Sequence, residues 1–153
     1  MKKLLILFIV LSVSISSLYS QNRTIKGRVI SEFLETLPYV SIVIHDTVEV
    51  GKTDLNGFFK IEIPVSVKKI LFRSVGIGLA STEFVDTCAE VEVVMIVSFT
   101  YDFITLQKVD RLRMKRFKKL PELHKEAFEK GLFKTDKACY TQEFIPDYKK
   151  HKK

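Results

Sequence analysis

A mainly β domain followed by a short basic helical region is the fold class this 153-residue sequence predicts. Three observations predict it. Between residues 24 and 97, short apolar runs recur at about 8–12-residue spacing, separated by turn-forming residues. Several of these runs alternate apolar and polar side chains, the period of a half-buried strand. No segment with helical periodicity occurs before residue 103, whereas basic amphipathic segments follow it. Six or seven short strands so arranged fit a β-sandwich or a partly open barrel.

The first element is not part of that domain. Met1-Lys2-Lys3 is a short positive start, and Leu4 to Leu18 is an apolar run that fades into serines. Ser20 is small enough to precede a cleavage point, with Gln21 beginning the mature chain. This is the plan of a secretory signal peptide over residues 1–20. A membrane anchor wants about 20 strongly apolar residues, more than this run supplies. No cysteine lies near the junction, so a lipid anchor on cysteine is not expected. The expected location is therefore periplasmic, outer-membrane-associated or secreted. Export removes nucleic acid as a natural partner. It also lets Cys88 and Cys139 meet an oxidant. They form either one bridge or two free thiols; a bridge would close a loop of roughly 50 residues, a constraint of about 4 kcal/mol.

The strands follow in order. Thr24 to Ser31 sets Ile25, Gly27 and Val29 against Lys26, Arg28 and Ile30. Tyr39 to His45 sets Val40, Ile42 and Ile44 against Tyr39, Ser41, Val43 and His45, and Pro38 stands at its start, where a missing N–H costs least. Val48 to Thr53 is a short candidate broken by Gly51. Asp54-Leu55-Asn56-Gly57 is a turn: Asp54 accepts local backbone N–H groups, and Asn56 or Gly57 takes positive φ. Phe58 to Ile63 alternates until Pro64 stops it. Lys69 to Val75 is more continuously apolar, as a central strand is, and Gly76-Ile77-Gly78 breaks it. Leu79 to Val85 and Val91 to Val97 complete the set, with Cys88 in the loop between them.

These residues carry a pattern. Gly27-Arg28-Val29, then Leu37 to Ile44 (LPYVSIVI), then Gly51 to Phe59 (GKTDLNGFF), then Ser74-Val75-Gly76 occur in that order. Over residues 23–97 the chain resembles a carboxypeptidase-regulatory-like domain of the bacterial, Bacteroidota type. Such domains occur alone or as N-terminal extensions of TonB-dependent outer-membrane receptors. The resemblance implies a prealbumin/transthyretin-like seven-stranded β-sandwich over residues 21–98, a module that is not itself a peptidase. Ile77 departs from the pattern, which commonly has an aromatic there. No barrel or plug sequence follows, so a complete receptor is not expected.

Residues 99–153 form the basic, partly helical extension. Residues 108–153 hold 15 basic and 7 acidic side chains, whereas residues 21–107 hold 8 and 11, so the net charge of +7 belongs to the C-terminal third. Such a local cationic surface suits an anionic partner. Asp110 to Lys119 is predicted helical, with Asp110 as its cap. A second helix is expected from Pro121 to Gly131, with Leu120, Leu123 and Ala127 as a core-facing stripe. Lys134 to Tyr148 reads as irregular.

Chemistry is harder to find. His45, His124 and His151 lack the convergent spacing of zinc ligands. Asp46, Glu49 and Asp54 read as turn residues rather than a calcium loop. Gly76-x-Gly78 lacks the third glycine and following helix of a dinucleotide loop. No catalytic, cofactor or metal residue is therefore assigned. The expected function is a non-enzymatic exported accessory module of the cell envelope. Its sandwich is the scaffold, Asp54, Gly57 and Gly76 are structural turn residues, and Arg111, Arg113, Lys115, Arg116, Lys118 and Lys119 form the contact surface. An envelope or outer-membrane protein is the expected partner, with an anionic surface or glycan as alternatives. The competing function is a carbohydrate-binding module of a polysaccharide-uptake system, with Tyr39 as the stacking residue.

Overall fold

The computed structural model describes residues 22–84, 88 and 90–148. The export segment and His151 lie outside the described residues. Strands β1 (Asn22–Ser31), β2 (Ser41–Ile44), β3 (Val48–Lys52), β4 (Phe58–Pro64), β5 (Lys69–Arg73), β6 (Ala80–Phe84) and β7 (Glu90–Met95) come first. Helices α1 (Leu106–Phe117) and α2 (Leu120–Glu129) follow, and β8 (Tyr140–Glu143) comes last.

Two sheets face each other. One has the order β4-β1-β7, with β1 antiparallel to β4 and parallel to β7. The other has the order β3-β2-β5-β6-β8 and is antiparallel throughout. The period-two pattern explains the layer between them. Ile25 and Val29 of β1, Phe59, Ile61 and Ile63 of β4, and Val91, Val93 and Met95 of β7 meet Ile42, Ile70 and Phe72 from the other sheet. The rings of Phe59 and Phe72 meet edge to face at 5.6 Å. Each such side chain, fully buried, contributes about 1.5–3 kcal/mol relative to exposure.

A second core lies on the outer face of the three-stranded sheet. Ile30 and Val94 point there and pack under Leu120 and Ala127 of α2 and under Phe133. This explains why Val91 to Val97 is almost continuously apolar: a strand covered on both faces loses the alternation. Helix α2 ends as Gly131 takes φ +70°. The Gly131 and Leu132 N–H groups then bond the Phe128 and Ala127 carbonyls at 2.9 and 2.8 Å. These bonds satisfy carbonyls that the helix end would otherwise leave unpaired.

Two glycines of the motif have backbone reasons. At Gly57 φ is +78°, and a Cβ would stand 2.4 Å from the Val29 carbonyl oxygen. At Gly27 a Cβ would stand 1.7 Å from the Val91 carbonyl oxygen, inside the β1–β7 pairing. Asp54 completes the turn, its Oδ1 accepting the N–H groups of Asn56 and Phe58, both at 2.8 Å.

The structure corrects three expectations. The described residues form eight strands, not seven. The eighth comes from the segment expected to be irregular: β8 pairs with β6 through Ser81–Glu143 to Phe84–Tyr140. Helix α1 begins four residues earlier than expected and is capped by Thr105, whose side chain accepts from Lys108 N–H. Asp110 therefore lies inside the helix, free for another role.

The C-terminal segment closes one side of the sandwich. It gives β6 a partner, and its side chains reach the unpaired carbonyls of β7. Tyr140 donates its hydroxyl proton to the Glu92 carbonyl at 2.6 Å, and Gln142 Nε2 points to the Val94 carbonyl at 3.5 Å. Cys88 and Cys139 are joined in a disulfide with their Cα atoms 5.6 Å apart. Two edges that would otherwise invite pairing with another chain are covered.

Candidate functional site

Helix α1 and the Lys118-Lys119 corner after it carry the residues expected to form a contact surface, and the structure divides them. Arg116 turns inward. Its Nε donates to Glu32 Oε2 at 2.8 Å, and one terminal nitrogen donates to Glu32 Oε1 and to the Val97 carbonyl, the latter at 2.7 Å. The guanidinium also lies over the Phe99 ring, 4.4 Å from its centroid. Arg113 bridges Asp110 at 3.0 Å and Asp147 at 2.7 Å and lies 5.5 Å from the Phe144 ring centroid. Asp110 in turn accepts the N–H groups of Asp147 and Tyr148 at 3.0 and 2.8 Å. Burial opposes its charge, but those N–H groups and Arg113 outweigh burial and hold its pKa below the ordinary value. Arg113 and Arg116 thus fasten α1 to β1, β7 and the C-terminal segment. They are not a free surface.

Arg111, Lys115, Lys118 and Lys119 are exposed, and so is Lys108. Lys108, Arg111, Lys115 and Lys118 stand at i, i+3, i+7 and i+10, which sets them along one side of the helix. None of these five cations has an ion-pair partner among the described residues. The contrast with α2 is plain: there Lys125 meets Glu129 at 3.8 Å and Lys130 meets Glu126 at 2.7 Å. Lys108 is absent from the predicted contact set, because the predicted helix begins after it. Its i−3 spacing from Arg111 was the available signal. On the Arg116 side of the helix lie apolar rings partly open to water: Phe33 is 58% exposed and Phe99 49%. They meet edge to face at 6.4 Å.

Tyr39 stands elsewhere, ahead of β2 rather than within it. It is 65% exposed, at φ +56°. Around it, Pro38, Ser41, Arg73, Ser74 and Val75 line an open depression of about 560 Å³. Arg73 is held there by a 3.0 Å bond to the Asp46 carbonyl. Gly76, at φ +73°, turns the chain just beyond, with open space where a Cβ would be.

Two histidines and one buried carboxylate are tied to the fold. His45 occupies the β2–β3 turn at φ +50°. His124 is buried against Phe133, with Nε2 3.2 Å from the Thr135 carbonyl, and burial pushes its pKa down. Glu92 is buried too. It accepts from Lys134 N–H at 2.7 Å, Thr135 N–H at 3.1 Å and the Thr135 hydroxyl at 2.8 Å, pinning the loop after α2. Among the described residues, no three His, Cys, Asp or Glu side chains gather as metal ligands do. No helix of the described residues is long and apolar enough to cross a membrane. No protein-family model matches the chain, and no curated protein matches it significantly.

Proposed function

We propose that this chain is an exported, non-catalytic accessory module of a bacterial cell envelope, with the β-sandwich as scaffold and the outer face of α1 as its contact surface. The observation that carries the proposal is the row Lys108, Arg111, Lys115 and Lys118, exposed and without acidic partners among the described residues. Such a row attracts an acidic partner over distances of about a Debye length. The exposed rings of Phe33 and Phe99, the latter under Arg116, supply apolar area of the kind protein contacts favour. A transthyretin-like relationship is part of the proposal, supported by the order of the glycine and Asp54 turn motifs. The partner fitting these features is an envelope or outer-membrane protein with an acidic surface.

A deletion of the C-terminal third is a poor test, since it removes β8 and Cys139. The better test reverses charge at Lys108→Glu, Arg111→Glu and Lys115→Glu and compares capture of partners from envelope fractions. Loss of a specific acidic protein is the expected result. Equal recovery by both forms refutes the contact role.

A second reading has its own observation. Tyr39 stands exposed over a shallow depression lined by Pro38, Ser41, Arg73, Ser74 and Val75, as a sugar-stacking side chain does. If the module binds polysaccharide, a glycan array gives hits that Tyr39→Ala abolishes; hits that survive the substitution place the site elsewhere.

A further inference from the structure

We propose that the groove between the α1–α2 corner and β8 binds a single-chain amphiphile with an anionic head group. The groove is a separate site from the outer row of α1, with which it shares Lys118. The groove holds about 600 Å³, inside the range of about 300–1,000 Å³ typical of small-molecule sites. Its floor is apolar, built by Val94 of β7, Phe117 of α1 and Leu120 of α2, with Met114 along one side.

Three polar side chains of the wall are already engaged, and Thr141 is the one whose hydroxyl makes no bond among the described residues. His124 faces the Thr135 carbonyl, the Tyr140 hydroxyl donates to the Glu92 carbonyl, and Gln142 points to the Val94 carbonyl. A polar ligand body would lose water there without gaining partners. An alkyl chain has no such penalty and gains from every methylene removed from water.

Charge at the rim selects the head. Lys118 and Lys137 stand there, neither with an ion-pair partner among the described residues. Asp136 is the acidic residue at the rim. The balance favours an oxyanion over an ammonium group. A carboxylate and a phosphate monoester share that chemistry.

The methionines provide the readout. Met114 lines the groove, while Met95 is fully buried in the sandwich core and serves as an internal control. The full-length mature chain, with isotope-labelled methionine methyl groups, is titrated with decanoate, decyl phosphate, decyltrimethylammonium and inorganic phosphate, each amphiphile below its micellar concentration. The expected result is a saturable movement of the Met114 methyl signal with decanoate or decyl phosphate while Met95 stays in place. The tighter of the two identifies the head. Inorganic phosphate moves neither signal. The double variant Lys118→Glu, Lys137→Glu weakens binding of the preferred anion by about tenfold or more, with an unmoved Met95 signal showing an intact core. Three results overturn the proposal: no saturable movement of Met114, ammonium binding as tight as the anions, or undiminished anion binding by the double variant.

Discussion

On the inner face of α1, Arg113 and Arg116 each meet at least one carboxylate, a backbone carbonyl and an aromatic ring, and their side chains are only 18% and 19% exposed. On the outer face of the same helix, Lys108, Arg111 and Lys115 meet water. The residue types are the same in charge, and they alternate within nine positions. What separates them is the geometry of the partners. A guanidinium is a planar fork of donors that bonds two oxygens at once and stacks on a ring, so it survives partial burial where an ammonium is poorly served. Both inward cations are arginines, and three of the four in the outward row are lysines. The helix thus uses one set of charges to stay on the protein and leaves the other for something else.

The largest test removes what holds the C-terminal segment in place. Replacing Cys88 and Cys139 by serine releases a link between residues 51 apart in sequence. The expected loss is about 4 kcal/mol in the chain-entropy model, measured as the drop in urea unfolding free energy. An unchanged midpoint would mean that the inner face of α1 and β8 hold the segment unaided.

Next comes the inner face itself. Arg116→Ala leaves Glu32 mostly buried with its charge uncompensated. Breaking a buried pair costs about 3–5 kcal/mol, and the partial exposure of Arg116 places the expected loss near the lower end, about 3 kcal/mol. Lys115→Ala, one residue away, is expected to change stability by no more than about 0.5 kcal/mol. Equal losses at the two positions would erase the distinction between the faces.

Much of the sandwich was legible in the sequence because its rules are local. Alternation in Phe58 to Ile63, the Asp54-to-Gly57 turn and the stops at Pro64 and Gly76 each act within a few residues, and the first seven strands lie within two residues of their expected limits. The eighth was not legible. Four residues, Tyr140 to Glu143, are too few to show a period, and what makes them a strand is the free edge of β6, more than fifty residues earlier. The same distance effect governs the site. The basic run was visible, but its division was not, because the partners that draw Arg116 inward, Glu32 and Val97, lie elsewhere in the chain. Asp110 looked like a cap because it precedes the basic run; its ligands come from Asp147 and Tyr148.

A smaller effect follows from Asp110. Burial alone would raise its pKa, but the N–H groups of Asp147 and Tyr148 together with Arg113 bring the folded value below the unfolded one. The carboxylate therefore adds stability that is complete above the unfolded value of about 3.9 and is lost as pH falls through the folded value. Thermal melts of the wild type and Asp110→Asn are expected to differ at neutral pH and to converge as the solution is acidified below about pH 3.9. A gap that stays constant would show that the hydrogen bonds hold without the charge.

The smallest effect on stability carries the most for function. Lys108→Ala, Arg111→Ala and Lys115→Ala remove exposed side chains without partners among the described residues, so each is expected to shift the unfolding free energy by about 0.5 kcal/mol or less. The shift should be toward greater stability, because like charges at i, i+4 on one helix repel; Arg111 and Lys115 are such a pair. Capture of an acidic partner should fall sharply in the triple variant, and for the wild type it should weaken as salt rises, since exposed charges are screened over about 10 Å at 0.1 M ionic strength. Stability and binding thus move in opposite directions at the outer face, whereas Arg116→Ala lowers stability first and binding only as a consequence. A triple variant that lost both together would show that the outer row also belongs to the architecture.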